Sequence, residues 1–136
     1  MNNTRLATAI HILTILAEFT EQWVSSDLMA KSMNINPVIV RKELSVLVDS
    51  GFVTSHKGKD GGYRLNKNSL EISIADVYLA VKNSEVLGKK NRNPNPQCTI
   101  GKNINRNLDL LFDETEQIVV EFLKSRSLFE FTRQFH

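Results

Sequence analysis

The sequence predicts a mainly α-helical fold carrying one small β-hairpin. Apolar residues recur at helical spacing through the first third of the chain, and an apolar seam with steps of four and three runs through the last third. Between them a glycine-bearing turn, Gly58-Lys59-Asp60-Gly61, separates two short strand-like runs.

Each element follows in order. Leu6, Ile10, Leu13 and Ala17 are spaced i, i+4, i+7, i+11, and Ile12, Ile15 and Phe19 mark a second face, so residues from about Thr4 to Phe19 read as a helix buried on two sides. Ser25 or Ser26 offers an N-cap, and Asp27 in the first turn complements the helix dipole of a short helix, Asp27 to Ser32. The tight connection Met33-Asn34-Ile35-Asn36 leads to Pro37, favoured in the first turn of the next helix. Val40, Leu44, Leu47 and Val48 are the expected buried stripe there, and Gly51 is the expected left-handed terminator. Two helices joined by a four-residue turn form a helix-turn-helix. Phe52 to Lys57 and Gly62 to Leu65 then form a hairpin, the wing, and Ile72 to Val81 a short helix. The fold class is therefore a winged helix-turn-helix with an added long C-terminal helix.

Residues 83–103 are read as a loop, because Asn83 to Lys102 shows no apolar period and contains Asn93-Pro94-Asn95-Pro96. A helix is expected from about Gly101 to Lys124. Ile104, Leu108, Leu111, Thr115, Ile118 and Phe122 form its seam, with Phe112, Val119 and Leu123 as a second stripe. One small domain cannot cover both stripes, so Ile104, Leu108, Leu111, Ile118 and Phe122 are the expected contacts of a homodimer. Leu128, Phe129 and Phe131 are expected to fold back on the body. The domains read as 1–82 for the winged unit, 83–103 for a loop with a candidate sensing segment, and 104–136 for dimerisation.

The chain has 136 residues, 41% of them hydrophobic and 24% charged, the balance of a soluble globular protein. Net charge is only +2, but it is unevenly spread. Arg41, Lys42, Lys57, Lys59, Arg64 and Lys67 face only Glu43, Asp49 and Asp60 in the middle of the chain, whereas acids prevail after Asn107. A cationic middle suits a polyanion. The single cysteine excludes an intrachain disulfide framework. His11, Thr14 and Glu18 interrupt the first apolar run, so neither a signal peptide nor a membrane span is expected, and the protein reads as cytoplasmic.

With Val40, Leu44 and Leu47 inward, Pro37, Val38, Arg41, Lys42 and Ser45 are the expected groove-facing residues of the second helix. Arg41 and Lys42 suit guanine O6 and N7, and Val38 a thymine methyl. Lys57, Lys59 and Arg64 are expected to place the wing against phosphates or a minor groove. Ser25 and Ser26 are read either as phosphate contacts or simply as caps. The expected partner is double-stranded DNA, and no catalytic or metal-ligating set stands out. Cys98 has no recognisable partner among His11, His56 and His136, so no enzyme is expected. The competing reading is a winged-helix protein–protein adaptor without specific DNA binding.

The run Ile35 to Leu65, ending Lys57-Gly58-Lys59-Asp60-Gly61-Gly62-Tyr63-Arg64-Leu65, resembles the Rrf-two family of bacterial winged-helix regulators. That family's wing usually reads Arg-Gly-Pro-Gly-Gly-Gly-Tyr, with Lys57 in the arginine place and Lys59 in the proline place. Ile72-Ser73-Ile74-Ala75-Asp76-Val77 looks like its post-wing helix, and the long helix like its dimerisation helix. The resemblance implies a homodimer on a partly palindromic operator, usually as a repressor, with bases read from the positions of Arg41 and Lys42. Members with an iron–sulfur cluster carry three close cysteines before the long helix. Here Cys98 stands alone, so no cluster is expected. Cys98 is left as either a redox-sensing thiol or a semi-buried structural cysteine.

Overall fold

A computed structural model describes residues 4–83 and 86–136. Residues 1–3 of the expected first domain and 84–85 of the expected loop lie outside the described residues. The elements are α1 (Arg5–Glu18), α2 (Ser26–Met33), α3 (Pro37–Asp49), β1 (Val53–His56), β2 (Gly62–Leu65), a 3-10 turn (Ser69–Glu71), α4 (Ile74–Val81), α5 (Thr99–Lys124) and α6 (Leu128–Arg133). They divide into two compact units: the described residues of Met1–Lys82 with Leu123–His136, and those of Asn83–Phe122.

In the first unit α1 touches α2, α3, α4, α6 and β2. Its Ala9, Ile12, Leu13 and Leu16 have no solvent exposure and sit among Met29, Val40, Leu44, Leu47, Val53, Ile72, Val77 and Leu128. The deepest face is thus turned from the expected Leu6-Ile10-Leu13-Ala17 stripe, whose Leu6, Ile10 and Ala17 are only half-buried. Phe19, expected on a second buried face, lies beyond the helix end and is exposed. Where neighbours converge, not where the longest apolar row runs, decides which face is deepest.

The helix-turn-helix is built by side-chain caps. Ser25 Oγ accepts from the Leu28 N–H at 3.1 Å, which makes Ser25 rather than Ser26 the cap of α2. α2 closes on Asn34, whose φ of 54° is the left-handed conformation that asparagine tolerates. Asn36 Oδ1 then accepts from the Val38 N–H at 2.9 Å, and Pro37 opens α3. Gly51, at φ +85°, ends α3 as expected: its N–H donates to Val48 O and that of Phe52 to Leu47 O, both at 3.0 Å.

The buried face of α3 holds a charge. Glu43 is only 4% exposed, while Val48, expected in the stripe, is half-buried. A buried carboxylate needs a partner. Arg5 supplies it, with Nη2 at 2.9 Å from Oε1 and Nε at 3.2 Å from both oxygens. The hydrogen bond to Glu43 also pushes the Arg5 guanidinium pKa above its ordinary value.

Ser73 and Asp76 form a capping box at the start of α4. Beside it the C-terminal segment returns through an antiparallel bridge, with the Ile74 N–H on Arg126 O and the Leu128 N–H on Ile72 O, both at 2.8 Å. Leu128 is buried and Phe131 half-buried, so this segment folds back as expected, although Phe129 stays exposed. In the second unit the loop lies against its own helix. Asn105 Nδ2 donates to Asn91 O at 2.8 Å, Lys90 pairs with Asp109, and Asn95 O comes so near Gly101 that a Cβ there would meet it at 2.5 Å. The helix of this unit starts at Thr99, slightly before the expected Gly101.

Arg5→Ala strands the Glu43 carboxylate, and the expected loss is about 3 kcal/mol of stability. The check is the urea midpoint, and replacing both residues by Met is expected to recover most of the loss; an unmoved midpoint in Arg5→Ala would show that the pair contributes nothing.

Candidate nucleic-acid interface

α3 separates its two sides sharply. Val40, Leu44 and Leu47 have no exposure, whereas Val38, Arg41, Lys42 and Ser45 are all exposed along one i, i+3, i+4, i+7 stripe. Val38 is 62% exposed. Pro37 is half-buried at the helix start. Arg41 leans across the turn: its Nη1 lies 3.4 Å from Ser26 Oγ and 3.8 Å from Asp27 Oδ1. These solvent-exposed contacts hold it weakly, roughly 0.5 kcal/mol, so the guanidinium is gathered but not sequestered. Ser26 is thereby joined to Arg41, while the hydroxyl of exposed Ser25 serves the cap. Exposed Leu28 and Ile39 flank the stripe.

The wing is a two-stranded antiparallel hairpin with Val53 opposite Leu65 and His56 opposite Gly62. Lys57 and Lys59 are exposed in its turn. The double glycine has a steric cause: a Cβ on Gly61 would lie 2.0 Å from His56 O, and one on Gly62 2.6 Å from Val24 O. Gly62 also takes φ +154°. The crowding at Gly62 arises because Val24 and Tyr63 exchange both backbone hydrogen bonds, at 2.9 and 2.8 Å, tying the wing to the segment that starts α2.

Arg64, expected beside the two lysines, lies back on this small sheet and is half-buried. Its guanidinium sits 4.2 Å from the centroid of the Trp23 ring, and Nη2 donates to Glu21 O at 3.3 Å. Trp23 in turn stacks on His56 at 4.9 Å. Trp23 has no role in the sequence reading; the available signal is a lone tryptophan two residues before the helix cap Ser25.

On α5 no residue is buried. Of the expected dimer contacts, Ile104 and Leu108 are half-buried, Leu111 is exposed, and Ile118 and Phe122 are 72% and 57% exposed. No helix among the described residues is long and apolar enough to cross a membrane.

The chain matches, over residues 2–134, the Rrf2 family model, described as an iron-dependent transcriptional regulator. The chain belongs to the Rrf2 family. It is 40% identical over 128 residues to YwnA of Bacillus subtilis, which is named as an HTH-type transcriptional regulator, with 94% of each chain covered. A crystal structure of a protein described as DNA-binding is 34% identical, with a TM-score of 0.73 over 93% of this chain and 97% of that one. The fold is also that of CymR, the global cysteine regulator of B. subtilis, at a TM-score of 0.72, 21% identity, and coverage of 98% and 97%. These likenesses make this Rrf2 chain a winged-helix, DNA-binding transcriptional regulator, and the family and relative names point to regulation rather than to an enzyme.

The family's iron-dependent description raises the question of a metal group. An iron–sulfur cluster takes about four ligands, mostly thiolates. This Rrf2 chain has one cysteine, and among the described residues no three His, Cys, Asp or Glu side chains gather to hold a metal. The residues present do not fit the group. Cys98 is exposed, not semi-buried. The N–H groups of Gly101 and then Ile100 hold its thiol pKa below the ordinary cysteine value. The three histidines have other neighbours: His11 bonds Ser32 Oγ at 3.2 Å, His56 stacks on Trp23, and His136 meets Glu18 at 2.7 Å.

Because hydrogen bonds favour the Cys98 thiolate, its iodoacetamide alkylation is expected to reach half-maximal rate at a lower pH than that of an unstructured cysteine peptide. A coincident or higher midpoint would remove the helix-terminus effect. Gly62→Ala is expected to cost roughly 1–3 kcal/mol through the clash with Val24 and the unfavourable φ, read as a lowered Tm.

Proposed function

We propose that this chain is a sequence-specific regulator that binds a partly palindromic operator as a homodimer and acts as a repressor in the cytoplasm. The observation that carries the reading is the exposed stripe Val38, Arg41, Lys42 and Ser45, set opposite a fully buried face of α3 and accompanied by a wing with two exposed lysines. Arg41 and Lys42 have the reach and donors for guanine O6 and N7, and Val38 suits a thymine methyl. Pro37 and Ser45 border that contact. Lys57 and Lys59, with the α2 start at Ser25 and Ser26, supply sequence-independent phosphate contacts that fix register. Such a protein responds to its operator through differences between base edges, so the helix must be held rigidly; the caps at Asn36 and Gly51 and the Arg5–Glu43 pair serve that.

The dimer is proposed on α5. Leu111, Ile118 and Phe122, each more than half exposed, form part of an apolar seam. A second copy of the same helix is the simplest cover, and two-fold symmetry then matches a palindromic site. A second reading has one observation in its favour: exposed Leu28, Val38 and Ile39 would equally serve a protein-binding adaptor.

Selection from random duplexes is expected to enrich a two-fold site with half-sites about one helical turn apart. Arg41→Ala is expected to lose roughly 1–3 kcal/mol of discrimination at one base pair per half-site. Selectivity unchanged in both Arg41→Ala and Lys42→Ala would overturn the assignment, and no binding at low salt would favour the adaptor. Ile118→Asp with Phe122→Asp is expected to give a monomer in sedimentation; a persistent dimer would place the interface elsewhere.

A further inference from the structure

We propose that Trp23 is the positioning residue of the wing, and that Arg64 serves Trp23 rather than phosphate. The inference rests on the DNA-binding reading above and assigns a role to residues that reading leaves unused. A two-stranded hairpin is marginal by itself in water, so the wing needs support on both faces. One face has it, since Val53, Tyr63 and Leu65 join the core of the first unit. The other carries Thr54, His56, Gly62 and Arg64, because side chains alternate along each strand.

Register explains how Trp23 covers that second face. The antiparallel bridge of Val24 with Tyr63 sets Trp23 beside Arg64, and the hairpin pairs Arg64 with Thr54 and Gly62 with His56. Gly62 has no side chain, which leaves the indole a path over it to His56. The ring accordingly carries Arg64 at 4.2 Å and stacks on His56 at 4.9 Å with an interplanar angle of 26°. A planar guanidinium suits an aromatic face in a way that an ammonium does not. Arg64 is also spent locally. Its Nη2 donates to Glu21 O, and the residue is half-buried where Lys57 and Lys59 are exposed. Trp23 lies two residues before the cap of α2, so the wing's tilt is set from the helix-turn-helix itself.

The test compares Trp23→Ala, Trp23→Phe, Arg64→Lys and the pair Lys57→Ala/Lys59→Ala, alone and combined, by operator affinity across salt. Each lost phosphate contact is expected to lower the slope of log K against log salt by about 0.9. Trp23→Ala is expected to reduce affinity and slope as the double lysine change does, and to add little when combined with it. Trp23→Phe should keep most of the parent's behaviour. Arg64→Lys, which keeps charge but not the plane, should weaken binding. Base preference at the Arg41 position should hold in every variant, as a general loss of structure would not allow. Additive losses, or an Arg64→Lys variant with the parent's affinity and slope, would overturn the proposal. Amide exchange decides it without DNA, so a parent that binds no duplex defeats the DNA reading alone. Arg64→Lys and Trp23→Ala should speed exchange over Val53–Leu65 while the α1 core stays protected; unchanged wing exchange would sink the brace. If Trp23→Ala does not fold, Trp23→Phe and Arg64→Lys carry the same comparison.

Discussion

The first unit is organised by one helix face. Ala9, Ile12, Leu13 and Leu16 lie wholly out of water, and α2, α3, α4, α6 and β2 all lean on their helix. Close packing makes such a face intolerant of changed volume, since neighbours on several sides cannot relax together. It also fixes which way α3 faces. Once Val40, Leu44 and Leu47 are seated in the core with α1, the opposite stripe is turned to solvent. The candidate DNA contacts are therefore a consequence of core packing: Arg41 is outside because Leu44 is inside.

Polar contacts then refine what the apolar core positions. Arg5 neutralises Glu43 across the α1–α3 contact, so the carboxylate on the buried face of α3 has its counter-charge. Capping groups at Ser25, Asn36 and Ser73 settle where helices begin by satisfying N–H groups that the helix leaves open. The backbone exchange between Val24 and Tyr63 joins the wing to the α2 start, so helix-turn-helix and wing are tied together at one short stretch, Trp23 to Ser26. In a protein that reads base edges, this shared origin matters, because a helix and a wing that moved independently would blur the register that phosphate contacts supply.

The second unit has a different physical character. No residue of its helix is fully buried, and Leu111, Ile118 and Phe122 are exposed on its surface. Apolar surface of this kind on a long helix is costly to leave in water, which is why a second copy enters the functional proposal. The loop before it is held by Asn91, Asn95 and Lys90 contacts to that same helix, and it delivers Cys98 to the helix start with its thiolate favoured. That chemistry differs from a cluster-binding loop, whose thiolates must come several at a time.

Periodicity and punctuation made most of the architecture legible. The i, i+3, i+4 rows, Pro37, Gly51 and the Gly61-Gly62 pair announce helix, turn and hairpin because each rests on local backbone physics, and the wing motif carried the family. The outward stripe of α3 was legible for the same reason: fixing three inward residues fixes the rest of a helix. Tertiary structure alone decided the remainder. Glu43 looks like a surface residue until Arg5, distant in sequence, closes on it. Arg64 looks like a wing cation until the Val24–Tyr63 bridge brings Trp23 beneath it. The phase of α1 depends on where five neighbours meet, and the exposure of Cys98 on how its loop is held. Local sequence determines elements through short-range sterics and hydrogen bonds, whereas the partner of a charge or a ring is set by which distant segments the core brings together.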